Sequence, residues 1–141
     1  MIIEQLSVFI ENKSGRLNEV MAILGDNGIN VSALSIADTS DYGIVRLIVS
    51  DPQRALGLLK QQAFSVQITP VICCKVPNTP GGLKKLLGYL SEDEISIEYM
   101  YAFSIGNDAS VILRTESCEK TISSLEKHQM EMMKASEIYQ I

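Results

Sequence analysis

Apolar and polar residues are arranged along this chain in a pattern that recurs at an offset of 66 positions. In residues 4–11, Leu6, Val8 and Ile10 alternate with Ser7, Phe9 and Glu11, which predicts a strand with one face in a core. From Arg16 to Asn27 the apolar positions Leu17, Val20, Met21 and Leu24 take the i, i+3, i+4, i+7 spacing of a surface helix. Asp26-Asn27-Gly28 predicts its end, because glycine adopts the left-handed conformation at little cost. A second strand begins at Ile29-Asn30-Val31 and runs to about residue 37, a polar turn spans 38–43, and residues 44–50 form a β-prone third strand, so the two predict a hairpin. Asp51-Pro52 supplies an N-cap and a first-turn proline for a helix that turns Leu56 and Leu59 inward. A fourth strand follows over 64–69.

The order returns from Val71. A strand over 71–76 leads to a helix whose Leu83, Leu86, Leu87 and Leu90 repeat the first helical stripe. Residues 95–103 are strand-like, Gly106-Asn107-Asp108 is a turn, and 110–114 is the third strand. Ser117 caps a helix in which Ile122 and Leu125 correspond to Leu56 and Leu59. Met132 and Met133 read as a fourth strand, and 136–139 as a last helical turn. Twice β-α-β-β-α-β predicts an α+β chain of two ferredoxin-like units, 1–70 and 71–141, each an antiparallel sheet with both helices on one face. Units of about 70 residues bury thin cores, so they are expected to pack together, and the chain to form a homodimer.

Between first strand and first helix each unit carries a glycine-bearing loop: Asn12-Lys13-Ser14-Gly15-Arg16-Leu17 and Asn78-Thr79-Pro80-Gly81-Gly82-Leu83. Free backbone N–H groups gather at such a helix start and suit a small anion. By their residues alone Asn12 and Asn78 read first as helix caps, a role compatible with ligand contact, Gly15, Gly81 and Gly82 as turn formers, and Arg16 as a solvated first-turn residue. Asn30 lies on a strand, where asparagine is disfavoured. Strict alternation puts Asn30, Ser32, Leu34 and Ile36 on one face, and Ser96, Glu98, Met100 and Ala102 on its counterpart, away from the helix-covered core. Met100 is thereby expected at a ligand or a unit-to-unit contact, and Tyr99 and Tyr101 in core or hydroxyl-anchored packing.

The net charge is −5, and each half has more acidic than basic residues. That balance excludes a basic face for duplex DNA, and no basic, aromatic-studded strand suggests RNA binding. Lys84 and Lys85 read as solvated helix surface, as does the acidic run Glu92-Asp93-Glu94. Cys73, Cys74 and Cys118 form no C-x-x-C pair, and the adjacent two are expected on opposite strand faces as free thiols, which suits a reducing cytoplasm. No stretch reaches the roughly 18 apolar residues of a membrane span. His128, the only histidine, has no neighbouring partner for metal or catalysis and reads as exposed. No nucleophile motif is present, so catalytic residues, metal and cofactor are all expected to be none.

A strand ending in Asn-x-x-Gly, a Leu two residues later, an amphipathic helix and then Gly28-Ile29-Asn30-Val31 resembles the ACT domain, the regulatory amino-acid-binding module of many biosynthetic enzymes. The second half, from Val76-Pro77-Asn78 through Phe103, is similar to that of small stand-alone proteins with two ACT units. The resemblance implies a non-catalytic sensor that binds a free amino acid where one unit's loop meets another's second strand, with an amino-acid-metabolism enzyme as the partner in trans. In the serine-sensing ACT domain of phosphoglycerate dehydrogenase, an Asn before the loop Gly and an Asn after the first helix contact the ligand; the matching positions are Asn12 and Asn30, and Asn78 and Ser96. That domain also uses a His where this chain has Ile10 and Val76, which leaves the ligand's identity open. The resemblance so implies a ligand site of Asn12, Ser14, Gly15, Arg16, Leu17 and Asn30, with Asn78, Pro80, Gly81, Gly82, Leu83, Ser96 and Met100. Two other functions fit the topology: an acylphosphatase-like hydrolase using Arg16 with Asn12 or Asn30, and a structural module for protein association.

Overall fold

The computed structural model describes residues 1–11, 13–38 and 41–140, and of Ile105 the backbone alone. The elements in chain order are β1 (Ile2–Glu11), α1 (Arg16–Asp26), β2 (Val31–Asp38), β3 (Tyr42–Val49), α2 (Pro52–Gln61), β4 (Ser65–Pro77), α3 (Gly82–Glu92), β5 (Ile97–Ile105), β6 (Asp108–Thr115), α4 (Cys118–Lys127), β7 (Glu131–Met132) and α5 (Ala135–Ile138). They fall into two compact units, one of Glu4–Thr69 with the tail from Ser136, the other of Pro70–Ala135 with Met1–Ile3. We call these the N-terminal and C-terminal units. The chain is α+β, with two ferredoxin-like units of antiparallel strands and helices.

In the N-terminal unit the strand order is β2-β3-β1-β4. Leu6, Val8 and Ile10 of β1 share a buried face with Val45, Leu47 and Val49 of β3, and Val20 and Leu24 of α1 and Ala55 and Leu59 of α2 close over it. Each fully buried leucine there contributes roughly 1.5–3 kcal/mol. Leu17 and Met21 of the predicted stripe are only partly buried. Asp51 caps α2 by accepting from the Arg54 N–H at 3.2 Å, with Pro52 at the first position, as the sequence indicates.

The C-terminal unit repeats this with β5-β6-β4-β7. Leu86 and Leu90 of α3 and Leu125 of α4 cover Ile72, Cys74 and Val76 of β4 and Val111 and Leu113 of β6. Leu83 and Leu87, expected to face inward, are 43% and 36% exposed, because only two residues of the stripe reach the core. Ser117 caps α4 through the Lys120 N–H at 3.2 Å.

Two departures from the sequence pattern matter. The fourth strand of one unit and the first of the next are one 13-residue strand, β4, which passes through Pro70. Proline's fixed φ suits an extended backbone, and only its missing donor is forfeited; its carbonyl accepts from Arg114 Nη1 at 2.9 Å. Second, β2 and β5 each contain a register shift, between Val31 and Ala33 and between Ile97 and Tyr99.

All four long helices end in the same way: the N–H of Ile29, Phe64, Ile95 and Met130 returns to the carbonyl of Leu24, Leu59, Leu90 and Leu125. This is the Schellman closure, which needs a left-handed residue just before the donor. Gly28 fills that place after α1, and Ala63, Glu94 and Gln129 fill it after the other three.

Candidate functional site

Where β1 runs into α1, and β4 into α3, each unit has a cavity. The first, of about 210 Å³, is lined by Ile10, Glu11, Lys13, Gly15, Leu17, Ile36, Asp38 and Gly43. The second, of about 230 Å³, is lined by Val76, Pro77, Asn78, Thr79, Gly81, Leu83, Lys84, Ala102 and Ala109. Seven positions correspond at the 66-residue offset, from Ile10 and Val76 to Gly43 and Ala109. The duplication therefore extends to a concave surface as well as to the core.

Chain geometry opens both cavities toward a helix start. Gly15 and Gly81 stand before their helices in the left-handed region, at φ 88° and 89°, and neither helix has a side-chain cap. The N–H of Arg16 bonds the Lys13 carbonyl at 3.3 Å and that of Gly82 the Thr79 carbonyl at 3.1 Å, while Glu19 and Lys85 donate to the carbonyls of Gly15 and Gly81 at 3.0 Å. The N-cap glycines offer no side chain to the first-turn amides between them, of Leu17 and Asn18 and of Leu83 and Lys84, and no capping side chain is found among the described residues. In α2 and α4, by contrast, Asp51 and Ser117 do that work. Uncapped N–H groups at the positive end of a helix favour an anion.

The expected site residues divide by place. Gly15 and Leu17 line the first cavity, and Asn78, Gly81 and Leu83 the second. Asn78 donates its backbone N–H to the Asn107 carbonyl at 2.8 Å and does not cap α3, so its capping role is set aside. Asn12 lies outside the described residues. Ser14 and Pro80 are exposed turn residues outside the lining. Gly82 is held by crowding, since a β-carbon there would stand 2.4 Å from the Pro77 carbonyl oxygen.

Arg16 is not the solvated residue expected. Its guanidinium lies 4.4 Å over the Phe64 ring, Nη1 bonds Glu19 at 2.6 Å, and Nε is buried without a partner. It lines a separate pocket with Phe9 and Phe64. On the loop itself, Lys13 donates to Glu11 at 2.7 Å and holds that carboxyl below its ordinary range.

Asn30 and Ser96 precede β2 and β5 at the ends remote from the cavities. Asn30 is fixed to Ser50, its N–H donating to Oγ at 3.0 Å and its carbonyl accepting from the Ser50 N–H at 2.9 Å. Ile36 stands six positions further along the strand, about 20 Å away, as Ala102 does from Ser96, and neither Asn30 nor Ser96 lines the loop cavity of its own unit. Met100 is turned the other way from expectation. It pairs with Leu113 and packs against the core of its unit, because the shift between Ile97 and Tyr99 reverses the alternation. The same shift puts Tyr99 and Tyr101 opposite Arg114 and Ile112, on the face away from the helices, and the corresponding shift in β2, between Val31 and Ala33, puts Leu34 and Ile36 opposite Leu47 and Val45.

Strict alternation hid the cavity walls Ile36 and Ala102; their spacing by the same 66 residues was the available signal. The corrections extend to His128 and Asp93. His128 stacks on Tyr89 at 4.0 Å and sits 3.4 Å from Asp93, only 16% exposed. Asp93 accepts from Lys127 at 2.8 Å and Ser124 at 2.5 Å, which hold its carboxyl down at about 2. Cys73 and Cys74 face opposite ways as expected, Cys74 in the helix-covered core and Cys73 against Met133. Among the described residues no three His, Cys, Asp or Glu side chains gather as metal ligands, and no helix is long and apolar enough to cross a membrane.

The family described as the ACT domain pair matches residues 1–141, the whole chain. This chain belongs to the ACT domain pair family. A solved protein from Bacteroides thetaiotaomicron is 46% identical, with 100% of this chain and 98% of that one covered and a TM-score of 0.97. The regulatory subunit of aspartate kinase from Thermus thermophilus, 16% identical, matches over 89% of this ACT pair and 93% of its own chain at a TM-score of 0.68. The aspartate kinase of Clostridium acetobutylicum, 17% identical, matches over 89% of this chain but 33% of its own, at 0.53. These two likenesses show the fold. No curated protein matches in sequence.

Proposed function

We propose that this ACT pair is a non-catalytic, cytoplasmic amino-acid sensor whose ligand is held by the glycine-bearing loops before α1 and α3. The observation that carries the proposal is the pair of uncapped helix starts, each opening on a cavity built from the same repeated positions. A free amino acid presents a carboxylate to first-turn N–H groups, and its ammonium suits carbonyl acceptors such as those of asparagine side chains. Asn30 and Ser96 lie too far from the cavity of their own unit, so in this proposal an adjoining ACT unit supplies them, in the same chain or in a homodimer. The ligand favours one packed arrangement by its differential affinity, and an enzyme of amino-acid metabolism responds in trans. The aspartate kinases above, one a separate regulatory subunit and one a longer enzyme, support a partner of that kind. An acylphosphatase-like reaction is not favoured, since Arg16 is engaged with Phe64 and Glu19 and does not line the loop cavity.

A thermal-shift panel of the twenty amino acids at millimolar concentration tests the proposal. Ligand at about 100 times its dissociation constant adds roughly 2.7 kcal/mol, which raises the midpoint by about 8 to 9 °C for a chain of this size. A panel in which no amino acid moves the midpoint refutes it.

A further inference from the structure

The two loop cavities are close in volume and differ in charge. Around the first stand two carboxylates, Glu11 and Asp38, and one ammonium, Lys13, which is already paired with Glu11 at 2.7 Å. Around the second stands Lys84, with no carboxylate in its lining. The exchange is positional. Glu11 is replaced by Pro77, Lys13 by Thr79, and Asp38 by Ser104, while Lys84 stands where the first unit has Asn18. The apolar walls also differ, with Ile36 and Gly43 replaced by Ala102 and Ala109, yet the volumes remain close. Size therefore does not separate the two sites, and charge does.

We infer that the cavities select different ligand classes: the one at Asp38 takes an amino acid with a cationic side chain, and the one at Lys84 takes an amino acid with a second carboxylate. This rests on the proposal that the loops hold free amino acids. Both sites then receive the main-chain carboxylate at the helix start, and the rim charge reads the side chain. Asp38 and Lys84 are both exposed, so each contact is modest in energy and screened by salt. A rim charge of that kind sorts ligands more than it adds affinity.

The test is calorimetric titration of the full chain at low salt with L-lysine and L-glutamate, read beside the amide resonances of Gly15 and Gly81. We expect L-lysine to move Gly15 and L-glutamate to move Gly81. Asp38→Asn weakens L-lysine by about three- to fivefold and leaves L-glutamate unchanged, and Lys84→Ala does the reverse, the size expected of an exposed ion pair. Both substitutions are at exposed positions, and unchanged far-UV spectra establish that the variants fold. If amino acids bind but both variants bind both ligands as the parent does, or each variant weakens both alike, the charge selection is wrong and the sensor function stands. If neither these two nor any other amino acid binds, both fall together.

Discussion

Replacing Gly82 by alanine isolates the packing on which the second cavity depends. A β-carbon at Gly82 would lie 2.4 Å from the Pro77 carbonyl oxygen, where real contacts are essentially never under 3.0 Å. Something must therefore move by about 0.6 Å or more. Helix α3 cannot slide away cheaply, because Leu86 and Leu90 are fixed in the core at 0% and 1% exposure. The other side of the contact is a proline backbone next to buried Val76. Overpacking of this kind costs about 1–3 kcal/mol, offset by up to about 1 kcal/mol for alanine over glycine in a helix. The net expectation is a loss of about 1–2 kcal/mol, or roughly 3–6 °C in the midpoint of thermal unfolding followed by circular dichroism. Gly88→Ala is the control: nothing lies within 4 Å of its β-carbon, and it should gain up to about 1 kcal/mol on α3. Because Pro77 and Gly81 line the cavity, Gly82→Ala should also weaken the ligand that moves the Gly81 amide while sparing the Gly15 site. A Gly82→Ala protein that melts with or above the parent would refute the reasoning, since the loop would then relax without cost.

Two further expectations concern the C-terminal unit. The Asp93 carboxyl, held at about 2 against an ordinary 3.8 by the hydrogen bonds from Lys127 and Ser124, contributes stability that is present above pH 4 and lost as the pH falls toward 2. Asp93→Asn should therefore be less stable than the parent at neutral pH, with the gap closing between pH 4 and 2 in acid-denaturation curves; a gap of constant size would show that the charge plays no part. Burial pushes the Cys73 and Cys74 thiols up to about 12, so in the folded protein at pH 8 a disulfide reagent should react with partly exposed Cys118 first, and with all three thiols in urea. Equal rates for all three in the folded state would contradict the burial.

Most of the fold could be read from the sequence, because the determining signals are local and occur twice. The 3.6-residue stripes of α1 and α3, the Asp51-Pro52 and Ser117 helix starts and the Gly28 stop act within a few residues of where they are seen. What escaped depends on partners distant in the chain. The strands expected over 64–69 and 71–76 stop on either side of Pro70, yet an extended backbone accepts it and β4 continues through. Leu83 and Leu87 have the spacing of core residues, but their exposure depends on what stands across from α3. His128 and Arg16 looked solvated because their neighbours in sequence are polar, whereas Tyr89 and Phe64 cover them from 39 and 48 positions away. At the site, the glycine loops were evident, but the walls supplied by β2 and β5 were assigned to the wrong face.

That misassignment explains how the cavities are built. Side chains on a strand alternate with a period of two, so one inserted residue exchanges the faces of everything beyond it. The shift between Val31 and Ala33 puts Ile36 beside core residue Val45, and the shift between Ile97 and Tyr99 puts Ala102 beside Val111. Without the shifts Ile36 and Ala102 would point away from the helices, and neither cavity would have that wall. The two shifts lie 66 positions apart, the offset that relates the loops, although the intervening residues are Ser32 in one unit and Glu98 in the other. Side chains so different do not impose a common irregularity. Pairing with β3 and β6 does, with Val31 held opposite Val49 and Ile97 opposite Thr115 while the strand beyond stays in register with the turn. The duplicated element is thus a loop together with a bulged strand. The units diverge in the charges at its rim, where substitution leaves that backbone framework undisturbed.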